Sequence, residues 1–269
     1  MIWTERQRRM LRAMGLHLWA PARPPVVADA SPLLAAPDPP PAQPAVPATP
    51  APPAVAEPAA PGLPADDRSR DIATLDWPAL RQAVADCQAC GLCRTRRQTV
   101  FGVGHERAHW MVVGEAPGEQ EDLQGEPFVG AAGQLLDSML RALQLTRAVD
   151  GPEPPAQRVY IANTLKCRPP RNRNPEPAEM QACEPFLMRQ IALVQPRLIL
   201  AMGRFAVQAL LRSSEPVGKL RGRVHHYQGV PLVVTYHPAY LLRNLPDKAR
   251  AWDDLCLAAA VAEGATSSP

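Results

Sequence analysis

The sequence predicts an α/β fold, a three-layer sandwich around a central four-stranded, mostly parallel sheet. Four short apolar segments rich in β-branched residues are typical of buried strands, and helical patterns separate the first three of them. This alternation predicts right-handed crossovers, which place helices on both faces of a parallel sheet. The predicted strands are residues 110–113, 159–162, 198–202 and 232–235.

A helical pattern follows each of the first three strands, and a short extra strand is joined to the fourth by a turn at Gly229. The predicted helices are residues 133–143, 177–194 and 203–211, and the extra strand is residues 224–227. Ligands of such sheets bind at the carboxyl ends of the strands. We therefore expect functional residues just after those ends, in residues 114–122, Asn163, Gly203 and residues 237–244.

The amino-terminal part of the chain has a different composition. About half of the 33 prolines in the 269 residues fall between Pro21 and Pro64. This segment of Ala, Pro and Val cannot bury enough apolar area to fold. An amphipathic pattern before it predicts a helix that docks a protein partner or folds back on the domain. The predicted organisation is a helix over residues 1–20, a disordered linker over 21–70 and one folded domain over 71–262.

The net charge of +3 is a weak clue to a nucleic-acid partner, because such proteins need a local basic face more than a high total. Local clusters of Arg and Lys do occur, at residues 94–97, 168–173 and 219–223. No apolar run approaches the roughly 20 residues that cross a bilayer, and no convincing export signal is present. We therefore expect a cytoplasmic monomer without membrane attachment.

The six cysteines suggest a metal centre. Cys87 and Cys90 form a CxxC pair, and Cys167 and Cys183 lie far along the chain, but a metal can join distant segments once the chain folds. Taken alone, Cys167 or Cys183 is equally a small buried hydrophobe. The spacing does not separate zinc from a four-iron cluster, and Cys93 extends the pair to CxxCxxC and competes as a ligand. We place Cys256 in the core of the last helix.

Several motifs together resemble the family 4 uracil-DNA glycosylases, the iron-sulfur branch of that superfamily. They cover nearly the whole predicted domain in the expected order. The resemblance implies a uracil-DNA glycosylase-like fold and a 4Fe-4S cluster held by Cys87, Cys90, Cys167 and Cys183. The motifs are CQACGLCRTR from Cys87, VFGVG from Val100, GEAPGEQED from Gly114, EPFVGAAGQLL from Glu126, YIANTLKCRPPRNRNP from Tyr160 and HPAYLLRN from His237.

The resemblance also implies roles for three residues in uracil binding. Phe128 matches the aromatic side chain that stacks on the base. Asn163 matches the amide that donates to the 4-carbonyl of uracil and accepts from its imide N–H, a pattern that cytosine reverses. His237 matches the donor to the 2-carbonyl oxygen, where negative charge grows as the bond to the sugar breaks. We expect Asn163 and His237 to be catalytic.

The loop after the first strand completes the expected uracil site with Glu115, Ala116, Pro117 and Glu121. In the better-known family 1 motif GQDPYH, an aspartate that positions the water stands where this chain has Ala116, which cannot accept a proton. Catalysis would then depend on electrostatic stabilisation, helped by Glu115, along a dissociative path. Glu121 matches a carboxylate that helps to exclude the 5-methyl group of thymine.

Contacts with the DNA strand are also implied by the resemblance. Leu241 and Leu242 resemble a wedge that fills the gap left by a flipped nucleotide, and Arg243 lies beside them to meet phosphate. Lys219 and Arg221 in KLRGR offer further phosphate contacts. Any of these leucines is also a candidate core residue.

The predicted function is a monofunctional repair glycosylase that acts on uracil-containing DNA. It hydrolyses the N-glycosidic bond, releases free uracil and leaves an abasic site, the first step of base excision repair. The alternatives are a glycosylase for other deaminated bases such as hypoxanthine, and an iron-sulfur DNA-binding module without turnover. The intact set Phe128, Asn163 and His237 argues against the second alternative.

Overall fold

The computed structural model of the chain describes residues 67–266. The predicted helix over residues 1–20 and nearly all of the predicted linker lie outside the described residues. The linker prediction is wrong at its end, because residues 67–70 form the first turn of helix α1, which covers Asp67–Thr74. The hydrophobic residue Ile72 of this helix is buried, so the folded domain begins before the predicted residue 71.

Within the described region the sheet has six strands in the order β1-β3-β2-β4-β6-β5. The four central strands are mutually parallel, as predicted, and β1 and β5 pair antiparallel at the two edges. The prediction included β5 as the extra strand but missed β1. The strands are β1 (Val103–Gly104), β2 (Trp110–Gly114), β3 (Val159–Asn163), β4 (Leu198–Met202), β5 (Val224–Tyr227) and β6 (Val230–Thr235).

Helices cover both faces of this sheet. Successive residues of β2 alternate between the faces: Val112 packs with α4 and α9, whereas Met111 and Val113 pack with α5 and α6. The predicted three-layer sandwich is therefore confirmed. The helices after α1 are α2 (Trp77–Ala85), α3 (Glu119–Gln124), α4 (Ala131–Ala142), α5 (Pro177–Val194), α6 (Arg204–Leu211), α7 (Val217–Leu220), α8 (Pro238–Leu241) and α9 (Asp247–Thr266).

A third apolar cluster lies beside the sheet and joins α1 and α2 to α5. It contains Leu80 and Val84 of α2, Phe186 of α5, and the thiols of Cys167 and Cys183. The amino-terminal helices of the domain thus pack on the region that holds the distant cysteines. None of the helices described is long and apolar enough to span a membrane.

Candidate active site and cysteine cavity

The carboxyl ends of the parallel strands lie along one edge of the sheet, and the predicted site residues follow these ends. Gly114 ends β2 and pairs in register with Asn163, which ends β3. Gly203 follows β4, and His237 follows β6. The main-chain nitrogen of Gly203 donates to the carbonyl of Thr235 at 2.9 Å, so the two loops start side by side. The parallel sheet therefore brings together residues that are far apart in sequence.

Phe128 lies between α3 and α4 and is 5 % exposed. Its φ of 57° is in the left-handed region, which bulky residues rarely adopt. Arg147 holds this conformation, because its Nη1 donates to the carbonyls of Pro127 at 3.0 Å and Phe128 at 2.9 Å. A Cβ at Gly133 would overlap the Phe128 carbonyl. So held, the ring stacks on His237 with 5.4 Å between centroids and 29° between planes.

Asn163 is 3 % exposed, and its Oδ1 has no hydrogen-bond partner among the described residues. Leaving a buried polar atom unpaired costs about 1–3 kcal/mol, so such an atom requires an explanation such as a ligand. A Cβ at Gly114 would overlap this oxygen and lie 2.6 Å from Cζ of Phe128. The amide of Asn163 and the ring of Phe128 therefore border the same space.

His237 caps the start of α8, where its Nδ1 accepts from the main-chain nitrogen of Ala239 at 3.2 Å. A neutral imidazole that accepts at Nδ1 carries its proton on Nε2. Enclosure by protein, together with the positive charge of Arg243, lowers the pKa of His237 to about 4, although Glu121 opposes the shift. At neutral pH the ring is therefore uncharged and offers an N–H at Nε2.

Glu115 directly follows β2 and is half-buried. Burial raises the pKa of this carboxyl above its ordinary value, and the positive charge of Arg204 partly offsets the rise. Ala116 is half-buried beside it with a methyl side chain, and Pro117 is buried. Glu115 is thus the proton-accepting side chain of this three-residue loop.

Glu121 binds main-chain groups with both carboxylate oxygens. It accepts from the nitrogens of Val129 and Gly130, each at 3.0 Å, and from the nitrogen of Gly118 at 3.1 Å. These bonds join the start of α3 to the residues that follow Phe128. Exclusion of the thymine methyl group stays a prediction for Glu121, to which the structure adds a role in placing the aromatic ring.

Of the two predicted wedge leucines, Leu242 is 41 % exposed, whereas Leu241 is fully buried in the core. The prediction that Leu241 contacts DNA is therefore wrong, because the first turn of α8 directs it against α4 and α9. Arg243 and Lys219 are exposed and remain predicted phosphate contacts.

Arg221 is held by a buried acid. Its Nε donates to Oδ2 of Asp254 at 3.0 Å and its Nη2 lies 2.9 Å from Oδ1, while Nη2 also donates to the carbonyl of Arg250 at 2.6 Å. The Asp254 side chain is 0 % exposed and that of Arg221 is 17 % exposed. Removing a cation from a buried carboxylate is costly, so Arg221 has a structural role in this pair, and its phosphate contact stays a prediction.

Five of the six cysteines line one cavity. Its walls come from the CxxCxxC segment, from the residues after β3 and from the amino-terminal half of α5. The cysteines are Cys87, Cys90, Cys93, Cys167 and Cys183. Cys256 lies elsewhere, packed against the core from the last helix, as predicted. The four predicted ligands are therefore brought together, with Cys93 beside them.

Arginine side chains donate to these sulfurs. Nη1 of Arg96 lies 3.1 Å from Sγ of Cys167, and Nη2 of Arg68 lies 3.6 Å from Sγ of Cys87. Burial raises the pKa of the Cys167 thiol, and it raises the pKa of Cys183 to about 12. Deprotonated sulfur in this cavity therefore needs positive charge, which the arginines and a bound metal group would supply.

The thiols of the cavity are donors that two kinds of metal group use. Within residues 67–266 no three His, Cys, Asp or Glu side chains approach closely enough to hold one metal ion. A zinc ion needs every thiolate about 2.3 Å from one centre, whereas a four-iron cluster is a larger body with a thiolate on each iron. The five cysteines that line this cavity offer the thiolate ligands that both groups use.

Comparison with known proteins places this arrangement in a family. The family model described as "Uracil DNA glycosylase superfamily" matches residues 101–256. A type-4 uracil-DNA glycosylase of Pyrobaculum aerophilum is 39 % identical over 68 % of this chain and 93 % of its own length. The type-4 uracil-DNA glycosylase of Archaeoglobus fulgidus is 41 % identical over 59 % of this chain and 79 % of its own length. That of Thermotoga maritima is 39 % identical over 63 % of this chain and 84 % of its own length.

Proposed function

Because the chain belongs to the uracil-DNA glycosylase superfamily, we propose that it hydrolyses the N-glycosidic bond of uracil in DNA. The products are free uracil and an abasic site, and the reaction is the first step of base excision repair. The observation that carries the proposal is the meeting of Asn163, Phe128 and His237 at one edge of the sheet. The unpaired Oδ1 of Asn163 makes this a site for a ligand that donates a hydrogen bond.

Uracil matches the polar groups of this site. Its imide N–H donates to the unpaired Oδ1 of Asn163, and its 4-carbonyl accepts from the amide nitrogen of the same side chain. Cytosine presents an acceptor and a donor in the opposite order, so it would leave two buried polar groups unpaired. Phe128 offers a flat apolar contact for the base. Selection of uracil over cytosine is therefore assigned to Asn163.

Bond cleavage is assigned mainly to stabilisation of the departing base. The neutral ring of His237 donates from Nε2 to the 2-carbonyl oxygen, which becomes more negative as the bond breaks. Ala116 cannot act as a general base, so the attacking water is weakly activated. A path with strong oxocarbenium character tolerates this. Glu115 is proposed to orient the water and to stabilise the positive sugar.

The cysteine cavity is proposed to hold a 4Fe-4S cluster through Cys87, Cys90, Cys167 and Cys183. The donor set fits, since these thiols, of which Cys167 and Cys183 are buried, surround one cavity and arginines donate to two of them. A cluster held by these residues would link the CxxCxxC segment to the residues after β3 and to α5. Cys93 is proposed to remain outside the ligand set.

Serine replacements test this ligand set. We expect Cys167→Ser to lose most of its iron and inorganic sulfide together with the visible absorption of the cluster, because a serine hydroxyl is a poor ligand for iron. Cys93→Ser is the matched change in the same cavity and is expected to keep full iron content. Iron retained in Cys167→Ser but lost in Cys93→Ser would assign the ligand to Cys93 instead.

The activity is tested with oligonucleotides that carry a single uracil, followed by alkali to cleave abasic sites. We expect strand cleavage and free uracil with the iron-loaded protein, and none with an oligonucleotide of normal bases. A hypoxanthine oligonucleotide tests the alternative substrate. Uncut uracil DNA with a full iron content would contradict the proposed glycosylase activity and favour the non-catalytic DNA-binding module.

A monomeric state, a cytoplasmic location and a protein partner for residues 1–20 stay predictions.

A further inference from the structure

A short turn connects the proposed base-binding residue to the cysteine cavity. It runs from Asn163, which ends β3, to Lys166, which precedes Cys167. In its middle, the main-chain nitrogen of residue 165 donates to the carbonyl of Glu115 at 3.1 Å, and that of residue 164 donates to the carbonyl of Gly114 at 3.0 Å. The turn is therefore tied to the loop that lines the uracil site.

Lys166 occupies the far end of this turn and is 1 % exposed. Its Nζ donates to the main-chain carbonyl of Asn163 at 2.8 Å and to Oε1 of Gln190 at 2.6 Å. Its main-chain nitrogen donates to Sγ of Cys183 at 3.2 Å, and its carbonyl accepts from the nitrogen of Val100 at 2.8 Å. One residue thus contacts both the base-reading strand end and a proposed cluster ligand.

A lysine in this position is an unusual choice for structure alone. Both acceptors of its Nζ are neutral, and burying an ammonium without an opposite charge is costly. Nζ nonetheless makes one of its two hydrogen bonds to the carbonyl of Asn163, which ties the buried amine to the end of the base-reading strand.

We propose that Lys166 is a positioning residue for Asn163, holding the end of β3 so that the side-chain amide meets uracil in the correct register. The inference rests on the proposed function of the site. Gln190 completes the network from α5, where its Nε2 donates to the carbonyl of Phe101 at 2.9 Å and to the hydroxyl of Tyr160 at 3.2 Å. Gln190 itself makes no bond to Asn163 among the contacts described.

The test compares Lys166→Met with Gln190→Met in the full-length, iron-loaded protein. Both changes remove buried hydrogen bonds, but only the first removes the bond to Asn163. The readout is the affinity ratio between oligonucleotides carrying 2′-fluoro-2′-deoxyuridine and 2′-fluoro-2′-deoxycytidine, which resist cleavage because the fluorine destabilises an oxocarbenium-like sugar. Iron content and thermal midpoint are measured in parallel.

We expect Lys166→Met to lower the preference for uracil by roughly tenfold, the loss expected for one buried hydrogen bond. We expect Gln190→Met to keep the preference within about twofold, although its thermal midpoint falls. If Lys166→Met does not fold, Lys166→Gln replaces it, because its side chain is one bond shorter and is expected to lose the same preference.

Three outcomes would overturn the inference. An unchanged preference in the Lys166 variant would show that the bond to Asn163 does not matter for recognition. Equal losses in the Lys166 and Gln190 variants would show a structural role alone. A wild-type protein with full iron and no preference for uracil would reject the proposed function, and the positioning role with it.

Discussion

Replacing Asn163 with alanine is expected to lower kcat/KM for uracil release at least about 100-fold. The alanine leaves the imide N–H and the 4-carbonyl of uracil buried without partners, at about 1–3 kcal/mol each. A combined loss of about 3 kcal/mol corresponds to roughly two orders of magnitude in rate. Sites that are built to hydrogen-bond a substrate lose strongly when that bond is removed.

The same variant is expected to stay folded, which makes the result easy to interpret. Oδ1 of Asn163 makes no hydrogen bond within the described part of the protein, so its removal costs the free protein little. Asn174→Ala, an exposed asparagine in the loop after β3, is the matched control and should keep wild-type activity. Asn163→Ala with wild-type kcat/KM and an unchanged thermal midpoint would remove Asn163 from the mechanism.

Sequence patterns predicted the four central strands, β5 and the helices α4, α5 and α6 to within a few residues, whereas α1, α2, α3, α7 and α8 were missed. Helix α5 and strands β4 and β5 have the predicted bounds, because Pro177 is a strong helix start and the strand segments are continuous runs with β-branched residues or turn signals. Strand β1 was missed because two residues are too short to show alternation. It exists because Gly104, at a φ of 121°, can approach the carbonyl of Val159.

The positions of some site residues were foreseeable from the sequence, whereas those of others were not. Phe128, Asn163 and His237 follow the ends of parallel strands or lie in the motifs, so their meeting was foreseeable. Leu241 was misassigned because a motif does not show which side of a short helix is buried, and the pairing of Arg221 with Asp254 of α9 was not foreseen. Such pairings depend on tertiary packing, for which the sequence carries no local signal.

The second large effect concerns His237, whose contribution is expected to come from a neutral ring. Ala239 donates to Nδ1, so the proton of the neutral ring is on Nε2. Protonation of Nδ1 would break this cap. The pKa of about 4 keeps the ring neutral at physiological pH, and a neutral N–H donor stabilises developing negative charge without a buried countercharge.

His237→Ala is expected to lower kcat by about 100-fold to 1,000-fold, the usual cost of losing one donor to a developing oxyanion. In the wild type, kcat should not fall as pH rises through 6.5, because no imidazolium is needed. Single-turnover rates between pH 5 and 8 measure this. A rate that declines with a midpoint near pH 6.5 in the wild type, and not in the alanine variant, would show that the charged ring is the active form.

The pH dependence of the free energy of unfolding is an independent test of the pKa of His237. The unfolded chain takes up a proton on His237 near pH 6.5, whereas the folded protein does so only near pH 4. Between these values the unfolded state binds more protons, so the free energy of unfolding falls as pH decreases, by up to about 3 kcal/mol from this residue. Above pH 6.5 the contribution to pH dependence vanishes. Denaturant unfolding measures this at pH 7 and pH 4.5, and the free energy of unfolding should fall more between these values in the wild type than in His237→Ala. Equal decreases in the two proteins would mean that the ring titrates normally and that its cap at Ala239 does not hold it neutral.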